Sequence, residues 1–234
     1  MSLFRNLIDG LFPSICHVCH NPQQGRGGVC LDCLTDYPFI SLKQPNLLFQ
    51  PDIARMFNLP YCHGLLACSW YQGHMQTWLK EFKFSKQSFY QNCIGSVIKT
   101  QLAHFNQTRI FMPDLILILP LHNRRLINRG FNQVAQTWLP YLPKEKVSLA
   151  CLVRSRPTKA QSGLNLKQRT RNVKQVFTVN GDLKGKKVAI IDDVITTGAT
   201  INAAAKACYA AGATEIWAYA TALTPLHGQR MTKK

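Results

Sequence analysis

Acidic residues are scarce in this chain. Only 11 Asp and Glu stand against 28 Lys and Arg in 234 residues, which gives a formal net charge of +17 and a sequence pI near 9.8. Such an imbalance predicts an anionic partner. Asp192 and Asp193 are the one pair of adjacent acids in the sequence. A pair of negative charges in so basic a chain needs a specific explanation.

Long apolar runs are also missing. No stretch of about 18 apolar residues occurs, so no membrane span is expected. Arg5 and Asp9 interrupt the apolar stretch from Met1 to Ile15, which argues against a secretory leader and makes the cytoplasm the expected compartment. With 46% hydrophobic and 17% charged residues and no solenoid repeat, the chain is expected to fold into one sizeable core with a small appended module.

The two commonest nucleotide-phosphate motifs, Gly-x-x-x-x-Gly-Lys-Ser/Thr and Gly-x-Gly-x-x-Gly, are absent. Instead, the apolar run from Val188 to Ile191 leads through the acid pair into a Thr/Gly turn. A short β-branched run is typical of a buried parallel strand. The turn offers hydroxyls and closely spaced N–H groups at the start of a helix, where anions are stabilised, so it predicts a phosphate site. The turn residues are Thr196, Thr197, Gly198, Ala199 and Thr200.

The acid pair requires a separate interpretation, because a bare phosphate would be repelled by it. Asp192 and Asp193 are suited to accept hydrogen bonds from sugar hydroxyls, or to hold a hydrated Mg²⁺ brought by a polyphosphate. Acids near a helix start can also simply cap N–H groups. The complete string favours a ligand site, since a ligand crevice belongs at the carboxyl end of a parallel strand. Together the features predict a sugar phosphate.

Nine cysteines in a reducing compartment call for an explanation other than disulfides. Cys16-x-x-Cys19 and Cys30-x-x-Cys33 have the spacing that lets four thiolates converge on one Zn²⁺. Unconnected thiol motifs or a redox pair are the alternative, but the segment is too short for its own apolar core, which favours structural zinc. The neighbouring His17 is not needed as a ligand, and nor is His20.

The remaining cysteines lack this spacing. Cys62 and Cys68 do not form a second CxxC pair, so a second zinc site is doubtful. Cys93, Cys151 and Cys208 lie in apolar sequence and are expected to behave as small buried hydrophobes.

Alternating strand and helix patterns along the rest of the chain predict the α/β class with an open, mostly parallel sheet. Prolines at 45, 51 and 60 place a boundary within residues 42–62. Residues 1–60 are therefore predicted to form a zinc-binding module with its linker, and residues 61–234 a second domain. The predicted strands are Gly64 to Tyr71, Leu115 to Leu119, Val147 to Val153, Gln175 to Val179 and Glu215 to Leu223, and the predicted helices are Met75 to Phe84, Ser88 to Phe105, Phe131 to Leu142 and Ile201 to Ala211.

Positive charge is concentrated between Arg154 and Lys187, where ten Lys or Arg accompany a single acid, Asp182. Such a run can be an ordinary solvated surface. As a cluster beside the predicted phosphate site, it could instead attract a pyrophosphate-bearing substrate or follow a nucleic-acid backbone.

The string from Asp192 to Thr200 resembles the signature of type I phosphoribosyltransferases. In those enzymes the aspartates hold the ribose hydroxyls of phosphoribosyl pyrophosphate (PRPP), and the Thr/Gly loop holds its 5′-phosphate. Further stretches resemble the ComF family of phosphoribosyltransferase-like proteins, which are linked to natural competence, the uptake of DNA by bacteria. These stretches are Pro120-Leu121-His122, Arg124-Arg125, Arg129-Gly130-Phe131-Asn132-Gln133 and the segment from Arg154 to Phe177.

The ComF resemblance implies a fold of the type I phosphoribosyltransferase kind and a PRPP site with Mg²⁺. It assigns the acid pair to ribose and residues 196–200 to the 5′-phosphate. It assigns Leu121, His122, Arg124 and Arg125 to pyrophosphate, and the segment from Arg154 to Arg171 to a lid. Competence-machinery proteins are implied partners. Many ComF proteins carry further cysteine pairs that this chain lacks.

Two functions follow as expectations. The first is a phosphoribosyltransferase in which an acceptor, not identifiable from sequence, displaces pyrophosphate from Mg-PRPP. Asp192 and Asp193 would stabilise positive charge on the ribose ring, and arginines the leaving group. The alternative is a non-catalytic, single-stranded DNA-binding competence factor that retains the pocket and stacks bases on aromatic side chains. Those aromatics are more simply core residues. They are Trp70, Tyr71, Trp78, Phe82, Phe84, Phe89 and Tyr90.

Overall fold

A five-stranded parallel sheet forms the centre of the molecule. The computed structural model describes residues 14–23, 28–85, 88–121, 127, 130–154 and 176–225. In this part of the chain the strands are β1 Ser14–Ile15, β2 Pro22–Gln23, β3 Gly64–Trp70, β4 Leu115–Ile118, β5 Val147–Ser148, β6 Leu152–Arg154, β7 Phe177–Val179, β8 Lys187–Ile195 and β9 Glu215–Leu223. The α-helices are α1 Leu31–Thr35, α2 Pro51–Met56, α3 Gly73–Ser85, α4 Ser88–Thr108, α5 Gln133–Trp138 and α6 Ala199–Ala210.

The strand order of the sheet is β3-β9-β8-β4-β5, and each of these pairs is parallel. β1 and β2 form a separate antiparallel pair, as do β6 and β7. The predicted α/β class with an open, mostly parallel sheet is confirmed. β8 lies in the middle of the sheet and carries the acid pair near its carboxyl end.

The apolar run from Val188 to Ile191 within β8 follows from its burial on both faces. Val188 and Ile190 belong to the core on one face, to which α6 contributes, whereas Ala189 and Ile191 belong to the core on the other face with α3, α4 and α5. The sheet is therefore a central layer between two helical layers. Near the carboxyl edge of the sheet, Asp192 and Asp193 are only partly buried, while Ile195 at the end of β8 remains in the core.

Several elements differ from the sequence prediction in extent. The strand expected over Val188 to Ile191 continues to Ile195, because β9 supplies parallel partners as far as Leu223. The helix expected over Phe131 to Leu142 is α-helical only over Gln133–Trp138 and ends as a 3₁₀ turn containing Pro140, since proline lacks the N–H that an α-helix interior uses.

The single extended segment expected from Val147 to Val153 is two strands. Val147–Ser148 joins the edge of the main sheet beside β4, while Leu152–Arg154 pairs with Phe177–Val179 in the small antiparallel ribbon. The last helix, predicted over Ile201 to Ala211, spans Ala199–Ala210, and Gly212 follows it with a φ of +94°, a conformation that glycine adopts without steric cost.

A strip of chain from Phe39 to Asn46 lies along the outer side of β3, the edge strand of the sheet. Phe39 forms an antiparallel bridge with Ser69, and Ile40 N donates to Cys68 O at 3.2 Å. The buried Asn46 side chain accepts a hydrogen bond from Leu65 N at 3.1 Å and donates to His63 O at 2.9 Å. The strip thus supplies partners for backbone groups of β3.

The segment after this strip also contributes to the main core. Leu47, Ile53, Phe57 and Leu59 are buried in the same core as α6. The division of the chain at residue 60 stays a prediction, and the predicted linker region is packed rather than exposed at these four positions.

Within the part of the chain that the structure describes, no helix combines the length and the apolar character required to cross a bilayer.

Candidate phosphoribosyl site and cysteine cluster

The acid pair lies at the carboxyl end of β8, where the strand leads into the loop before α6. The Asp192 carboxylate accepts a hydrogen bond from Asp193 N, and the Asp193 carboxylate accepts one from Val194 N, both at 2.8 Å. Both residues are partly buried. Each carboxylate is thus held by the backbone N–H that follows it, and each keeps further acceptor sites, one of which on Asp193 contacts Lys83.

The environment of Asp192 opposes its ionisation. Burial, followed by the charge of the adjacent Asp193, raises the pKa of the Asp192 carboxyl well above its usual range. Two neighbouring carboxylates with limited access to water commonly behave in this way. Carboxyl groups with perturbed pKa values are frequent at functional sites, where a charge that a ligand needs is retained although it lowers the stability of the fold.

Replacing Asp192 with asparagine is expected to stabilise the protein at alkaline pH. Because the Asp192 pKa is raised on folding, the folded state binds more protons than the unfolded state. Stability therefore falls as pH rises from the ordinary carboxyl range through the raised pKa. Asparagine does not ionise, so Asp192→Asn should raise Tm by about 3 °C at pH 8, about 1 kcal/mol for a chain of this size, with little difference near pH 4. Thermal unfolding followed across this pH range measures it.

Asp193→Asn is the matched control. It removes the same charge one residue later, but it also breaks an ion pair with Lys83, so no comparable gain is expected. An Asp192→Asn protein that is no more stable than wild type at pH 8 would contradict the assignment of an ionisation penalty to this residue.

The loop after the acids opens α6. Gly198 is buried and has a φ of +78° at the N-terminal cap of the helix. A Cβ atom there would lie 2.5 Å from Leu59 Cδ2, so both the conformation and the close approach favour glycine. The predicted linker therefore supports this loop directly. Tyr61 N also donates to Asn202 Oδ1 at 3.3 Å.

The loop presents its polar groups to solvent. Thr196, Thr197, Ala199 and Thr200 are exposed, and Thr197 Oγ1 accepts a hydrogen bond from Ala199 N at 3.4 Å. The first N–H groups of a helix such as α6 have no intrahelical acceptor. Hydroxyls, backbone N–H groups of the first helical turn and the positive end of the helix dipole thus meet at one place, which is a setting for a phosphate.

The segment expected to bind pyrophosphate begins beside the acid pair. Leu119 N donates to Ile191 O at 2.9 Å, and Leu119 O accepts from Asn132 Nδ2 at 3.1 Å. Leu121, two residues further on, is half-buried. The other residues expected at pyrophosphate lie outside the described residues, and so does the predicted lid apart from its first residue. They are His122, Arg124, Arg125 and residues 155–171.

Lys83 is a site residue that the sequence does not reveal. Its Nζ lies 3.1 Å from Asp193 Oδ2, and about a quarter of each side chain is exposed. The two residues are separated by more than a hundred positions, and Lys83 lies in the last turn of α3. In the sequence, lysines in a run such as Lys80-Glu81-Phe82-Lys83 are typical of a solvated helix face, so no pattern indicates the contact of Lys83 with Asp193.

The predicted cysteine cluster is assembled in the structure. The sulfur atoms of Cys16, Cys19, Cys30 and Cys33 all lie within 4.8 Å of one another. Cys16 Sγ accepts hydrogen bonds from Cys30 N at 3.3 Å and Val18 N at 3.4 Å. Such N–H···S contacts orient cysteine ligands around a metal. His17 instead stacks on Phe89, with ring centroids 4.4 Å apart.

The electrostatics of these thiols fit a cation. Burial alone would raise the pKa of the Cys16 thiol, but N–H groups of Cys19, Cys30 and Val18 lower it to about 6. Burial and the neighbouring sulfurs raise the pKa of Cys33. Four thiolates at this separation would repel one another, and a bound divalent ion removes that repulsion. The cluster could therefore hold a metal such as zinc, whose structural sites use this ligand set.

The remaining sequence predictions about side chains concern three cysteines and seven aromatic residues. Cys93, Cys151 and Cys208 are buried, as predicted. Trp70, Trp78 and Phe82 are core residues, whereas Phe84 is 84% exposed; the other three aromatics, Tyr71, Phe89 and Tyr90, are partly buried. Most of the proposed stacking surface is thus unavailable to bases.

Comparison with known proteins agrees with this geometry. The phosphoribosyl transferase domain family matches residues 134–233, which include the acid pair and the loop. DNA utilization protein YhgH of Escherichia coli is 26% identical over 228 residues, covering 88% of this chain and 96% of that protein. Competence protein ComFC of Streptococcus pneumoniae is 28% identical over 150 residues, covering 62% of each chain. These similarities support a ComF-family protein of the type I phosphoribosyltransferase-like kind.

Among solved structures, the chain is similar to the purine phosphoribosyltransferase of Pyrococcus horikoshii. The two are 16% identical, with a TM-score of 0.28, over 73% of this chain and 99% of that one.

Proposed function

We propose that this ComF-family protein binds PRPP together with Mg²⁺ in the crevice at the carboxyl edge of its sheet. One observation carries the proposal: two partly buried carboxylates at the end of the central strand adjoin an exposed Thr/Gly loop that opens a helix. Carboxylates recognise hydroxyls, and the loop recognises a phosphate. Ribose 5-phosphate carries hydroxyls at one end and a phosphate at the other, so it matches both features.

In this assignment, Asp192 and Asp193 accept hydrogen bonds from the ribose hydroxyls, and residues 196–200 hold the 5′-phosphate. The pyrophosphate and its Mg²⁺ are assigned to Leu121, His122, Arg124 and Arg125, which follow β4 in the sequence. If catalysis follows, negative charge at the acid pair stabilises positive charge that develops on the ribose ring as pyrophosphate leaves.

Titration calorimetry tests this proposal. PRPP with Mg²⁺ should bind at least tenfold more tightly than ribose 5-phosphate, because the pyrophosphate adds charged contacts. ATP with Mg²⁺ is the control for general affinity of a basic protein for polyphosphates. Absence of PRPP binding, or equal binding of ATP, would refute the proposal. Pyrophosphate release in a screen of nucleobase, amine and ammonia acceptors then separates an enzyme from a binding protein.

Single-stranded DNA binding is the second candidate. It is supported by the name of the similar Escherichia coli protein, DNA utilization protein, by the net charge of +17 and by the exposed ring of Phe84. Backbone binding of this kind weakens steeply with salt. Salt-dependent binding of an oligonucleotide that survives Asp192→Asn/Asp193→Asn would assign DNA to a surface other than the PRPP crevice.

For the amino-terminal region, we propose a structural zinc site formed by Cys16, Cys19, Cys30 and Cys33. Residues 1–60 then act as the zinc-binding module and linker, and residues 61–234 as the phosphoribosyltransferase-like domain.

A further inference from the structure

The ion pair between Lys83 and Asp193 joins the candidate site to an element outside its signature sequence. Lys83 Nζ is 3.1 Å from Asp193 Oδ2. This distance is that of a direct, charge-assisted hydrogen bond. Because each side chain is only about a quarter exposed, the pair is less screened than one on an open surface.

The helix that carries Lys83 is anchored independently of the loop at residues 196–200. Phe82 is 1% exposed and packs against the Phe131 ring at a centroid distance of 5.2 Å. One turn earlier, Leu79 O accepts a hydrogen bond from Gln133 Nε2 at 3.2 Å. The end of α3 is therefore fixed to the segment that follows the predicted pyrophosphate loop, and Lys83 extends from this fixed base to the acid pair.

The acid pair needs a counter-charge in order to act as two acceptors. Without one, the Asp193 carboxylate would have only the like-charged Asp192 carboxylate as its neighbour, and repulsion would favour rotation of one group away from the other. A rotated carboxylate no longer presents its acceptor oxygens to the ligand.

We infer that Lys83 is a positioning residue for ribose: its ammonium holds the Asp193 carboxylate in the orientation in which it accepts hydrogen bonds from the ribose hydroxyls. This inference rests on the proposed PRPP site. Lys83 acts through Asp193 rather than through the phosphates, and therefore its contribution is the same for a ligand with pyrophosphate and a ligand without it.

Two ligands and three variants test the inference. PRPP with Mg²⁺ is titrated by calorimetry, and ribose 5-phosphate is measured by its competition with PRPP. Lys83→Met should weaken both ligands by the same factor, about tenfold. Lys83→Arg, which restores the charge, should recover most of the affinity. Lys80→Met removes an exposed lysine from the same helix and should change neither affinity by more than about twofold. Thermal unfolding verifies that each variant is folded.

Each of the other possible results would overturn the inference, and each has a different meaning for Lys83 or for the site. A loss confined to PRPP would make Lys83 a pyrophosphate contact. A gain in affinity would make it an internal competitor that the ligand must displace. Unchanged affinity in Lys83→Met would leave the lysine without a role in binding. Wild-type protein that binds neither ligand would overturn the proposed function itself, and the inference with it. If Lys83→Met does not fold, Lys83→Arg compared with Lys83→Gln answers the same question.

Discussion

Replacement of both Asp192 and Asp193 with asparagine is expected to reduce PRPP affinity by about a hundredfold or more. Each carboxylate is proposed to accept a charge-assisted hydrogen bond from a ribose hydroxyl, and a hydrogen bond to a charged group contributes about 1.5–3 kcal/mol. Two such losses together correspond to a factor of at least about 100. Calorimetry with PRPP and Mg²⁺ measures the change.

The double variant should remain folded, because asparagine retains the oxygen that accepts the following N–H in each case. Asp32→Asn/Asp36→Asn is the matched control, since it removes two negative charges from exposed positions on and just after α1. The control should bind PRPP as wild type does. Equal affinity in wild type and Asp192→Asn/Asp193→Asn would remove the acid pair from the binding site.

The second large effect concerns the cysteine cluster. Wild-type protein should contain about one zinc per chain, and Cys16→Ser/Cys30→Ser should contain almost none, because two of four thiolates are lost. Elemental analysis of the purified proteins measures the zinc. Cys16 is fully buried and packs in the core on the α3 and α4 side of the sheet. Loss of the metal should therefore lower Tm by about 10 °C, or about 3 kcal/mol.

Cys62→Ser is the control, since this half-buried thiol lies outside the cluster of four. It should leave the zinc content unchanged. Wild-type protein that is metal-free and fully folded would contradict the zinc assignment. Zinc that disappears in the Cys62→Ser variant would place a fifth cysteine at the site.

The central sheet and the convergence of the four cysteines could be predicted from sequence largely because their signals are local. The apolar run before Asp192 indicates a buried strand, and the spacing of the cysteines specifies their convergence. The length of β8 is harder to predict from the sequence, since two acids interrupt its apolar pattern. They remain in the strand because β9 pairs with it beyond them, a tertiary effect that outweighs local preference.

Contacts between distant segments could not be predicted in the same way. The pairing of Lys83 with Asp193 depends on how α3 crosses to the end of β8. Similarly, prolines in residues 42–62 indicate a linker, yet Leu59 contacts the loop at Gly198. Neither contact follows a sequence period, because each is set by the packing of complete elements.

The strip from Phe39 to Asn46 also affects whether copies of this molecule associate with one another. An uncovered edge strand offers a row of free N–H and C=O groups, which invites pairing with the same strand of another molecule and hence aggregation. In this chain, Ile40 and Asn46 engage such groups of β3. Cleavage within the predicted linker, or expression of the sheet without this strip, would leave the β3 edge of the sheet open to pairing with another molecule. The segment that connects the two predicted modules thus also protects the sheet from edge-to-edge association.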